Sequence, residues 1–138
     1  MQTGIKALMS TGHTLPMHPL WVVAVLMVSY LGNWGHELYR VPVSHGFTPE
    51  GLLSLLLPAI LIFLAWWRFP RHLAPIAAMW ALGLIHLLGA CVTVLPLAFL
   101  PFAPEQTVLH YLVHAIYAIA QIPLLLLALR LMRRRVMG

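Results

Sequence analysis

The sequence is poor in charged residues and contains no aspartate. Only 8% of its 138 residues are charged, whereas about 25% of the residues of a typical soluble domain are, because its surface must stay hydrated. Hydrophobic residues make up 62% of the chain, and the mean hydropathy is +0.91. These values indicate a surface that faces lipid rather than water.

Other scarcities exclude several classes of function. The chain has a single cysteine, Cys91, so it has no disulfide framework. It has no glycine-rich phosphate loop, and the absence of aspartate leaves few carboxylates for catalysis. The net charge of +5 does not indicate nucleic-acid binding, because the cations flank apolar segments and are not interleaved with solvated aromatic residues.

What the chain does have is four long apolar segments. A helix that crosses a hydrocarbon core of roughly 30 Å needs about 20 mostly apolar residues. We expect spans at about residues 20–39, 52–67, 73–96 and 107–129, separated by proline- and arginine-containing links. The runs are continuous rather than alternating, which favours helices over closed strands. The predicted fold is an all-α, single-domain, four-helix transmembrane bundle with antiparallel helices.

The cations predict the orientation of the bundle. Seven of the eight Lys and Arg residues fall before span one, between spans two and three, or after span four. All three places lie on one side of a four-span protein, and by the positive-inside rule that side is cytoplasmic. We therefore expect both termini in the cytoplasm and the protein in a bacterial inner membrane. The cations concerned are Lys6, Arg68, Arg71, Arg130, Arg133, Arg134 and Arg135.

Histidines gather near the opposite side. Counting from the predicted boundaries at 1.5 Å per residue, His86 and His114 lie about 10 Å below the outer surface, and His36 and His110 about 5 Å below it. Four histidines on three helices thus share the outer third of the membrane. Ionisable residues inside a bilayer are costly and are functional by default.

Helical spacing turns these histidines inward. On span four, His110, His114, Tyr117 and Gln121 form one continuous stripe. Span one carries a second stripe, and span three surrounds its histidine with small residues that permit close helix approach. We expect a polar pocket between spans one, three and four, open to the outside and lined in part by Asn33, Tyr117 and Gln121. The stripe of span one contains Ser29, Asn33, His36 or Glu37, and Arg40.

A transition metal is the first ligand that this pattern predicts. His110 and His114 are four residues apart, so both imidazoles point the same way and can bind one copper, zinc or iron ion. Either His86 or His36 supplies a third ligand. Glu37 and Glu105 are candidates for a further ligand, an acceptor that fixes a histidine tautomer, or a general acid or base acting on a lipid-soluble substrate.

A b-type haem is the second possibility. His86 and His114, expected at equal depth on neighbouring antiparallel helices, would be its axial ligands. Such a haem would exchange electrons with a quinone, and His36 and His110 would hold its propionates. A chlorin bound through one imidazole is a variant of this hypothesis.

Simpler interpretations stand beside these. The histidines can hydrogen-bond across helices without binding anything, and the protein would then be an accessory subunit of a larger membrane complex, or a homo-oligomer, with no chemistry of its own. A transporter or channel is a third hypothesis, weakened because the inner halves of spans one and three lack polar residues.

Overall fold

A computed structural model describes residues 18–40, 49–101 and 103–136, with the side chains of residue 40 and residues 49–55 excepted. Lys6 and His45 lie outside the described residues. The regular secondary structure of the described part is four α-helices: α1 (Pro19–Arg40), α2 (Pro49–Arg68), α3 (Leu73–Val92) and α4 (Val108–Val136).

Two helices end at places that differ from the predicted ones. Helix α3 ends at Val92 rather than near residue 96, because Thr93 caps it and its backbone N–H and hydroxyl both donate to the Gly89 carbonyl. Helix α4 continues through the terminal arginines to Val136 instead of stopping near residue 129. Arginine is a strong helix former, so the helix does not end where the apolar run ends.

Helix α4 packs most extensively on α3 and α1, while α2 makes fewer contacts, with α1 and α3. As residue numbers rise along α1, the numbers of the residues contacted on α4 fall: Ser29 contacts Gln121, and His36 contacts His114. Helix α1 is therefore antiparallel to α4. The far end of α4 is tied to the link between α2 and α3, where the Arg135 guanidinium donates to the Pro70 carbonyl at 2.7 Å.

Two glycines set how closely the helices approach. A Cβ added to Gly32 would collide with the Cβ of Ala120, so α1 and α4 touch at this point. A Cβ on Gly83 would lie 3.2 Å from the Leu125 side chain, a tight fit between α3 and α4. By contrast, a Cβ on Gly35 would meet nothing within 4 Å. Small residues at contact points permit such close packing of apolar helices.

The interior divides into a polar and an apolar half. From Gln121 towards the end of α4, the buried residues form an apolar cluster contributed by all four helices. In the other half, the buried side chains include Asn33, His36, His110 and His114. The apolar cluster consists of Val22, Leu26, Ala59, Trp66, Ile76, Met79, Leu124, Leu127, Ala128 and Leu131.

Much of the apolar surface is exposed. Helices α3 and α4 are both long and apolar enough to cross a membrane, by length and composition. Only 28% and 33% of their most apolar windows are buried, so the rest of the described chain leaves most of each window uncovered. Cys91 lies on the exposed surface of α3. The described apolar part of α2, Leu56–Arg68, is shorter.

Candidate functional site

A pocket of about 410 Å³ lies where the end of α1, the start of α4 and the connection between α3 and α4 meet. Its lining is rich in hydrogen-bonding and metal-ligating side chains, which is unusual in a chain with so few polar residues. The lining residues are His36, Tyr39, Thr93, Ala103, Pro104, Glu105, His110 and His114.

The centre of the site is a pair of imidazoles from two helices. The Nε2 atoms of His36 and His114 are 3.0 Å apart, and both residues are buried. The rings meet edge to face, with centroids 4.5 Å apart. These histidines meet because each belongs to the inward polar stripe of its helix and because Gly32, one turn from His36, lets α1 approach α4.

The other nitrogen of His114 fixes its tautomer. Nδ1 lies 2.7 Å from the carbonyl oxygen of Ala90 on α3. A carbonyl oxygen can only accept a hydrogen bond, so Nδ1 carries the proton and donates it. The Nε2 atom of the neutral ring then presents its lone pair towards His36. A histidine held in this way by a backbone carbonyl is prepared to ligate through its second nitrogen.

His110 is buried beside this pair. Only 7% of the residue is exposed, and neither ring nitrogen has a hydrogen-bond partner among the described residues. The ring lies 4.5 Å from that of His114 and 5.7 Å from that of Tyr39, centroid to centroid. Buried polar groups are normally paired, so these two nitrogens are available to a ligand that enters the pocket.

His36 is also held on its other sides. Its ring stacks on that of Tyr117 with centroids 5.2 Å apart. Its Nδ1 atom lies 3.4 Å from Oε1 of Glu37 and makes no hydrogen bond among the described residues. The Glu37 side chain therefore lies beside the buried ring of His36, while it is itself partly exposed.

Glu105 lies at the rim of the pocket, in the segment that precedes α4. Its two oxygens accept hydrogen bonds of 3.0 Å from the Tyr39 and Thr107 hydroxyls. Thr107 also accepts from the backbone N–H of His110 at 3.2 Å, which caps the start of α4. The carboxylate therefore links the end of α1 to the start of the helix that carries two of the histidines.

His86 belongs to a second, deeper polar cluster. Because His114 lies level with Ala90, His86 is one helical turn, about 6 Å, deeper along α3. Its Nδ1 atom has no hydrogen-bond partner among the described residues, and its ring lies 6.1 Å from that of Tyr117. Gln121 is fully buried; it accepts from the Ser29 hydroxyl and donates to the Ser29 and Tyr117 carbonyls at 3.2 Å.

The structure thus separates the predicted site residues into two groups. His36, His110, His114 and Glu105 line the pocket, with Glu37 beside His36. Asn33, Tyr117 and Gln121 are buried but do not line it. Among the described residues, no three His, Cys, Asp or Glu side chains are already arranged as a metal-binding group.

Tyr39 lines the pocket although it is not among the residues predicted for the site. Its position one turn after His36 on the same helix was the available signal. The Ala90 carbonyl carries no signal in the sequence, because any residue there would supply it.

No protein-family model, curated protein or solved structure matches the chain. Its own features define the class: an all-helical chain with two helices apolar enough to cross a membrane and a histidine-lined pocket at one end.

Proposed function

We propose that this chain is a four-span membrane protein whose outward-facing pocket binds a transition metal ion through His36, His110 and His114. In this proposal the ion supports redox or metal-dependent chemistry on a small or lipid-soluble substrate, such as a quinone. The observation that carries the proposal is the convergence of three buried histidines on one pocket, where neither ring nitrogen of His110 has a hydrogen-bond partner among the residues that the structure describes.

The distribution of charge supports the membrane topology. Arg135 contacts Pro70 at the end of the molecule that holds the four terminal arginines and the turn with Arg71. Glu37 and Glu105 lie at the other end, beside the pocket. By the positive-inside rule, the arginine-rich end faces the cytoplasm of a bacterial inner membrane and the pocket faces outward. The exposed apolar side chains of all four helices then face lipid.

The histidine pair has a separation close to that of two ligands of one ion. Two imidazole nitrogens bound tetrahedrally at 2.0–2.1 Å are about 3.3 Å apart. The Nε2 atoms of His36 and His114 are 3.0 Å apart. The Ala90 carbonyl orients His114 as such partners orient metal-binding histidines. Imidazole ligands suit zinc, copper and iron.

A metal ion fits this geometry better than haem does. The Nε2 atom of His114 faces His36, so the edge of the ring that would ligate a haem iron is turned towards another histidine. The proposed second axial ligand, His86, lies one helical turn deeper, beside the ring of Tyr117. We therefore assign His86 to the support of the helix packing and Glu105 to the rim, where it can bind the ion or hold a proton.

Metal binding to the purified protein tests the proposal. After removal of metal with a chelator, the protein is titrated with Zn²⁺ and Cu²⁺ by calorimetry, and bound metal is counted by elemental analysis. We expect one ion per chain, and loss of binding in His110→Ala. His72→Ala is the matched control, because His72 is exposed at the opposite end of α3. Absence of binding, or equal loss in both variants, would overturn the proposal.

A second candidate is an accessory subunit in which the histidines only hold helices together. The observation in its favour is that the described His, Cys, Asp and Glu side chains include no ready-made group of three ligands. It predicts stoichiometric partners after gentle solubilisation and no effect of His110→Ala on the activity of the complex. Transport is less well supported, because the apolar cluster fills the half of the interior beyond Gln121.

A further inference from the structure

A groove of about 480 Å³ runs between α1 and α4 at the arginine-rich end of the molecule. The two helices touch at Gly32 and Ala120. Helices that cross at an angle diverge on either side of the closest point, and the groove begins seven residues from Gly32, at Val25. Its walls are Val25, Ile122, Pro123, Leu126 and Leu127, with Trp21 and Arg130 at the end.

The groove combines an apolar channel with one fixed charge. Its walls are hydrocarbon, while the exposed Arg130 and the 68%-exposed Trp21 supply hydrogen-bond donors at its end. Arg133 and Arg134 follow on the same helix and are also exposed. Of the carboxylates whose side chains the structure describes, Glu37 and Glu105, both lie at the opposite end of the molecule. No described acidic side chain is therefore available to neutralise Arg130.

We propose that this groove binds an anionic phospholipid, with one acyl chain along Val25, Ile122 and Leu126 and the headgroup phosphate at Arg130. A guanidinium binds phosphate through paired N–H donors, and the indole N–H of Trp21 is a further donor at the same level. An acyl chain fits the walls because they are apolar and would face lipid in any case. The inference rests on the proposed membrane location but not on the metal site.

The charge complementarity decides between an anionic lipid and other occupants. A zwitterionic lipid brings its own cation to a surface that already carries four arginines on α4. A second copy of this chain would bring the same arginines to the interface, where like charges repel. Basic pockets between membrane helices on the cytoplasmic side are suited to acidic headgroups.

Native mass spectrometry of the protein in neutral detergent tests the proposal, with phosphatidylglycerol and phosphatidylcholine of identical acyl chains as probes. We expect one retained phosphatidylglycerol, bound about fivefold more tightly than phosphatidylcholine, the effect of one arginine near a headgroup. Arg130→Gln should abolish this preference and Arg130→Lys should keep most of it. Arg133→Gln is the matched control: it removes the same charge from the same helix end but does not line the groove.

A second variant tests the apolar part of the groove separately. Ile122→Trp fills the channel without changing any charge, and it should remove the retained lipid even if Arg130→Gln fails to fold. Equal loss in Arg130→Gln and Arg133→Gln would overturn the proposal in favour of a diffuse basic surface. So would equal retention of both lipids, or a stable dimer that holds no lipid. The lipid preference should persist after metal removal, so failure of the metal proposal leaves this result unaffected.

Discussion

The helices contact one another through different kinds of side chain in the two halves of the interior. At the pocket end, helices α1, α3 and α4 meet through histidine, tyrosine and backbone carbonyl groups at hydrogen-bond distance. At the arginine-rich end they meet through Leu, Ile, Val and Met side chains. In lipid, apolar side chains gain little from burial against one another, so close packing and polar contacts hold membrane helices together. For the proposed membrane location, we therefore expect the polar half to specify which helices pair and the apolar half to fill space.

The two halves meet at the point where α1 and α4 touch. A substitution that separates the helices there should have the largest effect on stability. Gly32→Leu places a bulky side chain where even a Cβ collides with Ala120. We expect a loss of about 3 kcal/mol in the free energy of unfolding, the upper range for overpacking, together with loss of metal binding. Unfolding of the detergent-solubilised protein by heat or denaturant measures the first effect.

Gly35→Leu is the matched control for that experiment. Its added side chain has open space around the Cβ position, and the change introduces the same residue into the same helix. Stability should be unchanged or slightly raised, because leucine has a higher helix propensity than glycine. Equal destabilisation by both substitutions would show that the contact at Gly32 is not what aligns the two polar stripes.

The two polar clusters should differ sharply in metal binding. His114→Ala removes a proposed ligand and is expected to weaken binding by about a hundredfold or more, whereas His86→Ala should weaken it by less than about tenfold. Calorimetric titration with Zn²⁺ measures both. The reverse order of effects would move the site from the pocket to the deeper cluster.

The deeper cluster should matter more for stability than for binding. Gln121→Leu leaves the Ser29 hydroxyl without its buried acceptor, and we expect a cost of about 2 kcal/mol. Ser29→Ala in the same background should recover part of this loss, because both polar partners are then gone. Denaturant unfolding of the two single variants and the double variant gives the coupling energy; additive losses would contradict the hydrogen bond.

The rim of the pocket should show the smallest effect. Tyr39→Phe removes one exposed hydrogen bond to Glu105, so stability should fall by less than about 1 kcal/mol. Glu105→Gln keeps an acceptor for both hydroxyls and should be nearly neutral for stability. If Tyr39→Phe instead matches Gln121→Leu in thermal unfolding, the rim is as important to the fold as the interior.

The polar stripes show what the sequence can predict here. Spacing alone predicted the inward faces of α1 and α4, and Ser29, Asn33, His36, His110, His114, Tyr117 and Gln121 are all buried. Helix type and approximate position also followed from the apolar runs. These features depend on residues within one helix, whose geometry is fixed locally.

The relative depth of the histidines could not be predicted. It depends on the register between helices, which is set by contacts such as Gly32 with Ala120 and Gly83 with Leu125. Counting from apolar boundaries placed His86 and His114 level, although His114 meets Ala90, one turn away from His86. Tyr39 and Glu105 come together only through the connection between α3 and α4, whose path no periodicity encodes.

The connection between α3 and α4 affects how a ligand would bind in the pocket. Thr93 ends α3, and the segment that follows carries prolines at positions 96, 101 and 104 and supplies Ala103, Pro104 and Glu105 to the pocket lining. Proline restricts the backbone, so the segment has few conformations to lose when a ligand enters. Ligand binding should therefore cost little conformational entropy, and we expect the pocket to be preorganised rather than assembled on binding.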